Sequence, residues 1–171
     1  ITTDASTAFV GADGARVAAI SISTGSRLWS TELGGDIVSN LTADSAGVFV
    51  VTDTVSPEAG KPKESTLRIL SKETGITTKK IALASANSFK IGVDAGNVIV
   101  IAQSGDIYAF DAATAEAKWT RKPTGGVEGD SYIGGGLIVI GTTDSQILRM
   151  ASATGEINLT VKSSEKPTAV R

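Results

Sequence analysis

The 171-residue chain carries acids and bases but lacks the two side chains that most often do chemistry near neutral pH. With no histidine it has neither the usual general base nor the commonest ligand for zinc or copper. With no cysteine, thiolate catalysis, cysteine metal sites and disulfides are all excluded. A Ser-His-Asp or Cys-His arrangement therefore has no way to assemble. Lysine-based or two-carboxylate chemistry is what remains. The acidic turn residues Asp44, Asp94 and Asp144 recur at loosely matching places, yet they form no ligand string of the EF-hand kind. "GADG" around Asp13 and "GGG" at Gly134 to Gly136 are glycine-rich, but neither opens a helix after a strand, as a phosphate loop must. Both read as turns, and no metal or cofactor is expected.

The surrounding composition sets wider bounds. At 41% hydrophobic and 20% charged residues the chain reads as globular rather than disordered. A net charge of −2 provides no electrostatic footprint for nucleic acid. No apolar run approaches the ~20 residues of a membrane span. The chain begins at Ile1, which fits a processed chain or a piece of a longer one, with any targeting signal out of view.

What the chain does carry is repetition. The apolar runs "AFVG" at Ala8, "VFVV" at Val48, "VIVI" at Val98 and "LIVIG" at Leu137 recur at intervals of 40, 50 and 39 residues. A second phrase follows each, with a threonine at Thr24, Thr74, Thr114 and Thr154, spaced by 50, 40 and 40. The long interval has one cause, an insertion of about ten residues between Val51 and Leu67. Short β-branched runs fit strands buried on both faces, and the Gly, Asp and Ser clusters between them supply hairpin turns. "AATAEAK" has helix-forming composition but is too short to hold a helix alone. Counting a weaker strand upstream of each run, one period encodes four short antiparallel strands, the size of a propeller blade. The boundaries fall near 1–31, 36–82, 87–122 and 129–162.

The phrase Ala109-x-Asp111-x-x-Thr114-Ala115-x-x-x-Trp119 resembles the Ala-x-Asp-x-x-Thr-Gly-x-x-x-Trp signature of PQQ-like β-propeller repeats. The first repeat matches at Ala19, Thr24, Gly25 and Trp29, with Ser21 in the aspartate position. The second keeps Thr74-Gly75 with Ser71 and Lys79, and the fourth keeps Thr154-Gly155 with Ala151 and Leu159. The expectation is an all-β chain of four four-stranded antiparallel blades, forming part of a seven- or eight-bladed β-propeller ring. Such a chain is a fragment of a longer propeller, or two copies complete a ring, or four blades close alone. The resemblance implies that Trp29 and Trp119 are largely buried docking residues between blades. It assigns Gly25, Gly75, Gly155 and Asp111 to the turns that support them.

The same resemblance implies a non-catalytic, protein-binding scaffold of the bacterial cell envelope, periplasmic or extracellular. It is similar to the branch that holds the propeller lipoprotein of outer-membrane β-barrel assembly. The alternatives are a sensor ectodomain of a membrane receptor kinase and a fragment of a quinoprotein dehydrogenase. The latter enzymes hold quinone and calcium with an adjacent cysteine pair that this chain lacks. Two surfaces are candidates for partner binding. The insertion Ser56 to Ser65 holds Pro57, Lys61, Lys63 and Glu64 between the second and third strands of its blade. The segment after Trp119 carries Arg121 and Lys122, which with Lys79 and Lys80 would make a basic rim. Each has a plainer reading, as a solvated hairpin and as charges that end outer strands.

Overall fold

β-Branched runs bounded by Gly, Ser and Asp become strands throughout. A computed structural model, describing residues 1–12, 14–54 and 63–163, holds seventeen strands and no helix among those residues. No described helix is long and apolar enough to cross a membrane. The chain divides into two units, residues 1–85 and 86–171.

In the first unit, β1 (Thr2–Thr3), β2 (Thr7–Ala12), β3 (Arg16–Ser21) and β4 (Arg27–Glu32) pair antiparallel in sequence order. The next sheet opens with two short pieces, β5 (Asp36–Ile37) and β6 (Thr42–Ala43), both paired with β7 (Val48–Thr54). It continues through β8 (Glu64–Leu70) and β9 (Thr77–Leu83). In the second unit, β10 (Phe89–Asp94), β11 (Asn97–Ala102), β12 (Ile107–Asp111) and β13 (Ala117–Arg121) form one sheet. β14 (Val127–Gly134), β15 (Leu137–Thr142), β16 (Gln146–Ala151) and β17 (Ile157–Lys162) form the other. Each sheet is thus an up-and-down blade, with β5 and β6 together serving as one inner strand.

Burial follows position in the blade. All six residues of β11 and the first six of β7 are buried, which is why those strands read as unbroken apolar runs. The outer strands are wet, and every residue of β17 is exposed. Each unit has a core between its two sheets. In the first, Phe9, Val17 and Ala19 meet Val48, Val50 and Leu70. In the second, Ile99, Ile101, Ile107 and Ala109 meet Ile138, Ile140, Leu148 and Met150. Each large side chain so buried is worth roughly 1.5–3 kcal/mol.

The repeated phrase is one turn built four times. The N–H groups of Gly25, Gly75, Ala115 and Gly155 donate to the carbonyls of Ser21, Ser71, Asp111 and Ala151, four residues back. Their φ angles of 70°, 71°, 63° and 67° lie in the left-handed region, which explains the glycine. Each threonine Oγ1 accepts the N–H two residues on, at 3.2–3.3 Å, which explains the threonine. The following strand enters with a register shift at the same place each time, after Ala19, Ile69, Ala109 and Arg149.

Candidate functional site

The turn and the bulge together aim one outer-strand side chain at the neighbouring sheet. Trp29 on β4 lies against Gly75, where an added Cβ would stand 2.7 Å from the indole Cδ2. Its Nε1–H donates to the Lys72 carbonyl at 2.7 Å, and its ring lies 5.9 Å from that of Phe9. Trp119 on β13 repeats the contact in the second unit, over Gly155 and with Nε1–H donating to the Ser152 carbonyl at 3.2 Å. Both indoles pack against the core of their unit, largely withdrawn from water as docking residues are expected to be. Gly25 has the same turn geometry, yet nothing stands within 4 Å of an added Cβ there.

Polar links accompany each indole. In the first unit the Asp4 carboxylate pairs with Lys72 at 2.7 Å and accepts the N–H groups of Ser6 and Thr7. In the second, Asp94 accepts from the Ser152 hydroxyl and from the Gly136 N–H. Asp111 accepts the N–H groups of Thr114 and Ala113 and pairs with Lys118 at 3.1 Å.

Asp4 and Asp111 give the fold an acid limit. Lys72, then the Ser6 and Thr7 N–H groups, holds Asp4 at about 2, below its ordinary 3.8. The Thr114 N–H, then Lys118 and the Ala113 N–H, holds Asp111 at about 2. Because the folded values are depressed, their contribution is fully present above the unfolded value. It is lost as pH falls from about 4 through about 2. Urea midpoints measured at pH 5, 3 and 2 will fall across that window, and less steeply in a D4N/D111N double variant. An equal slope in the variant would assign the acid loss to other groups.

The partner candidates are placed unevenly. Pro57 and Lys61 lie outside the described residues. Lys63 and Glu64 are exposed at the start of β8, where the Lys63 carbonyl accepts the Ser85 hydroxyl at 2.5 Å. Beneath them is a buried polar ladder that sequence reasoning missed. Ser65 donates to Asp53 at 2.7 Å, and Arg68 Nε donates to Thr52 at 2.8 Å. Burial pulls the Arg68 guanidinium below its ordinary value. Arg121 is occupied within its own unit, Nε and Nη2 donating to the Gly155 and Thr154 carbonyls at 3.0 and 3.3 Å. Lys122 pairs with Asp106 at 3.0 Å. Lys79 and Lys80 stand on β9 of the first unit.

A cleft of about 550 Å³ runs between β10 and β14, lined among others by Phe89, Lys90, Gln103, Glu128 and Asp130. Lys90 and Asp130 pair there at 3.1 Å. Among the described residues no group of three or more His, Cys, Asp or Glu is placed to hold a metal ion.

The comparisons match this architecture. A solved structure of BamB from Moraxella catarrhalis is 21% identical with a TM-score of 0.70, covering 94% of this chain and 47% of that one. The computationally designed Ika8 protein is 16% identical at a TM-score of 0.73, covering 99% of this chain and 50% of that one. Quinohemoprotein alcohol dehydrogenase from Comamonas testosteroni is 18% identical at 0.68, covering 95% of this chain and 34% of that one. The chain therefore spans half or less of the length of these structures. No curated protein sequence matches it. These likenesses show the fold, with the four sheets as blades of a β-propeller. The family described as outer membrane protein assembly factor BamB matches residues 1–78 and 63–171, and the chain belongs to that family.

Proposed function

We propose that this chain is a non-enzymatic protein-interaction scaffold of the bacterial cell envelope, working on the periplasmic side. The family match over residues 1–78 and 63–171 is the observation that carries this reading. Chemistry supports it from the other side. The quinoprotein dehydrogenases need a cysteine pair over the quinone and a carboxylate set for calcium. This chain has no cysteine, and its described carboxylates do not gather into such a set, so the residues present do not fit that cofactor.

In this reading Trp29 over Gly75 and Trp119 over Gly155 hold blades together, with Asp111 and the Thr-Gly turns shaping the seat. Further blades, in a longer chain or a second copy, complete the ring. The partner surface is the β7–β8 edge with Lys63 and Glu64 at its foot and Pro57 and Lys61 in the insertion. Arg121 and Lys122 contribute less, since their charges are already engaged.

Calorimetric titration of the chain with soluble periplasmic domains of the outer-membrane assembly machinery tests the proposal. Saturable binding, weakened at least about tenfold by a K63E/E64K variant, supports it. Quinone- and calcium-dependent alcohol oxidation by the purified chain, or no binding to any such domain, would overturn it.

A further inference from the structure

Among the described residues Arg68 on β8 is the basic side chain that the fold buries, at 8% exposed. A buried guanidinium calls for a carboxylate, because an unpaired charge away from water costs more than one hydrogen bond returns. Arg68 has a single acceptor, with Nε–H donating to Thr52 Oγ1 at 2.8 Å. Among the described residues it takes part in no ion pair, and Nη1 and Nη2 have no acceptor. Its lowered pKa tells the same story, since burial is the cause and no acid opposes it. Asp53, the next residue after Thr52, lies on the other face of the sheet and is held by the Ser65 hydroxyl.

The register shows where the guanidinium sits. Arg68 stands opposite Val50 on β7 and Lys80 on β9, while Leu70 stands opposite Val48. Val48, Val50 and Leu70 belong to the core shared with the first blade, so Arg68 is on the face turned toward that neighbour. Its bond to Thr52, two residues past Val50, carries the side chain along this face toward the β7–β8 hairpin. Both Nη atoms keep contact with solvent rather than being sealed in. Lys80 is exposed beside it and also takes part in no ion pair among the described residues. Like charges directly opposite on paired strands repel, and this pair has no counter-charge of its own.

We propose that the Nη edge of Arg68, with Lys80 beside it, is a seat for a carboxylate of a protein partner, an aspartate or glutamate side chain laid against the seam between the first two blades. The remaining donors lie in one plane and match the two oxygens of a carboxylate, fork to fork. Phosphate sites instead gather backbone N–H groups at a helix start or a nest, and the described residues hold no helix. Burial strengthens the pair, because little water competes for the donors. The inference rests on the reading of the β7–β8 edge as the partner surface and names the chemistry recognised there. Its test uses no envelope protein, so the two fail separately.

The probes are a short end-blocked peptide with one glutamate and its glutamine counterpart. Binding is followed by heteronuclear NMR, through the amides of Thr52, Thr66 and Lys80 and the Arg68 Nε–H, the last assigned by its loss in Arg68→Lys. The glutamate peptide is expected to shift these resonances saturably and the glutamine peptide to leave them in place. Arg68→Met is expected to weaken binding at least about tenfold, and Lys80→Met about threefold. Arg68→Lys keeps the charge but not the fork, and is expected to bind more weakly than the wild type. Because the unpaired charge burdens the fold, the urea midpoint of Arg68→Met is expected to equal or exceed that of the wild type. Absence of a saturable shift, an equal shift with the glutamine peptide, or tighter binding of inorganic phosphate than of the glutamate peptide would overturn the proposal. So would a midpoint of Arg68→Met clearly below the wild type, which would make Arg68 a structural side chain.

Discussion

Gly75→Ala is expected to destabilise the chain by about 3 kcal/mol, whereas Gly25→Ala costs only about 1 kcal/mol. The two glycines share a turn, with φ of 71° and 70°, so the backbone cost of an L side chain is common to both. Ala115, at φ 63° in the third repeat, shows that the conformation admits alanine at that cost. What differs is the space. At Gly25 an added Cβ meets nothing within 4 Å, while at Gly75 it stands 2.6 Å from Thr31 Oγ1 and 2.7 Å from Trp29 Cδ2. The indole must lift, which loosens its hydrogen bond to the Lys72 carbonyl and its contact with Phe9. Gly155→Ala repeats the experiment in the second unit, with a Cβ 2.6 Å from Trp119 Cε3. Urea unfolding midpoints of the three variants give the comparison. Equal losses at Gly25 and Gly75 would mean that the indole is not seated on the turn in solution.

The blades were legible because their determinants are local. A β-branched run, a turn cluster and a Thr-Gly phrase each act within a few residues, and their recurrence marks the period without knowledge of contacts. Thr24 and Gly25 carry their reasons with them, as a hydroxyl accepting the N–H two residues on and a left-handed φ. The joints are a different matter. Asp94 finds Ser152 across 58 residues, and no short pattern announces a serine that answers an aspartate so far away. Arg121 read as a rim charge because no side chain nearby in sequence answers it. Its partners are backbone carbonyls, of Thr120 and of the Thr154-Gly155 turn, and carbonyls leave no trace in residue type. The buried ladder of Thr52, Asp53, Ser65 and Arg68 was missed for a related reason. Polar residues at strand ends look solvated until the packing that dries them is known. The split of the second blade's inner strand into β5 and β6 likewise has no signal in "DIVSNLTA", where both pieces pair with the same β7.

Trp119→Ala is the complementary experiment, removing the side chain rather than closing its seat. A large-to-small change at a buried aromatic costs about 3–5 kcal/mol, and the partly buried position of Trp119 puts the expectation at about 3. Two losses add. The indole withdraws from the core cluster around Ala109, Leu148 and Met150, and Gly155 loses the ring that shields it. The Ser152 carbonyl also loses its donor, though water reaches an acceptor at this edge and limits that part to about 1 kcal/mol. Trp119→Phe separates the two, since it restores most of the apolar contact and none of the hydrogen bond, and is expected to recover more than half of the loss. The fourth blade carries Leu159 at this place, exposed, so Leu159→Ala sets the baseline for an exposed residue at the same position. That baseline is expected to lie within about 0.5 kcal/mol of zero. Chemical unfolding followed by far-ultraviolet circular dichroism gives all three values. If Trp119→Ala costs no more than Leu159→Ala, the indole contributes only surface, and the blades of the second unit are held by their aliphatic core alone.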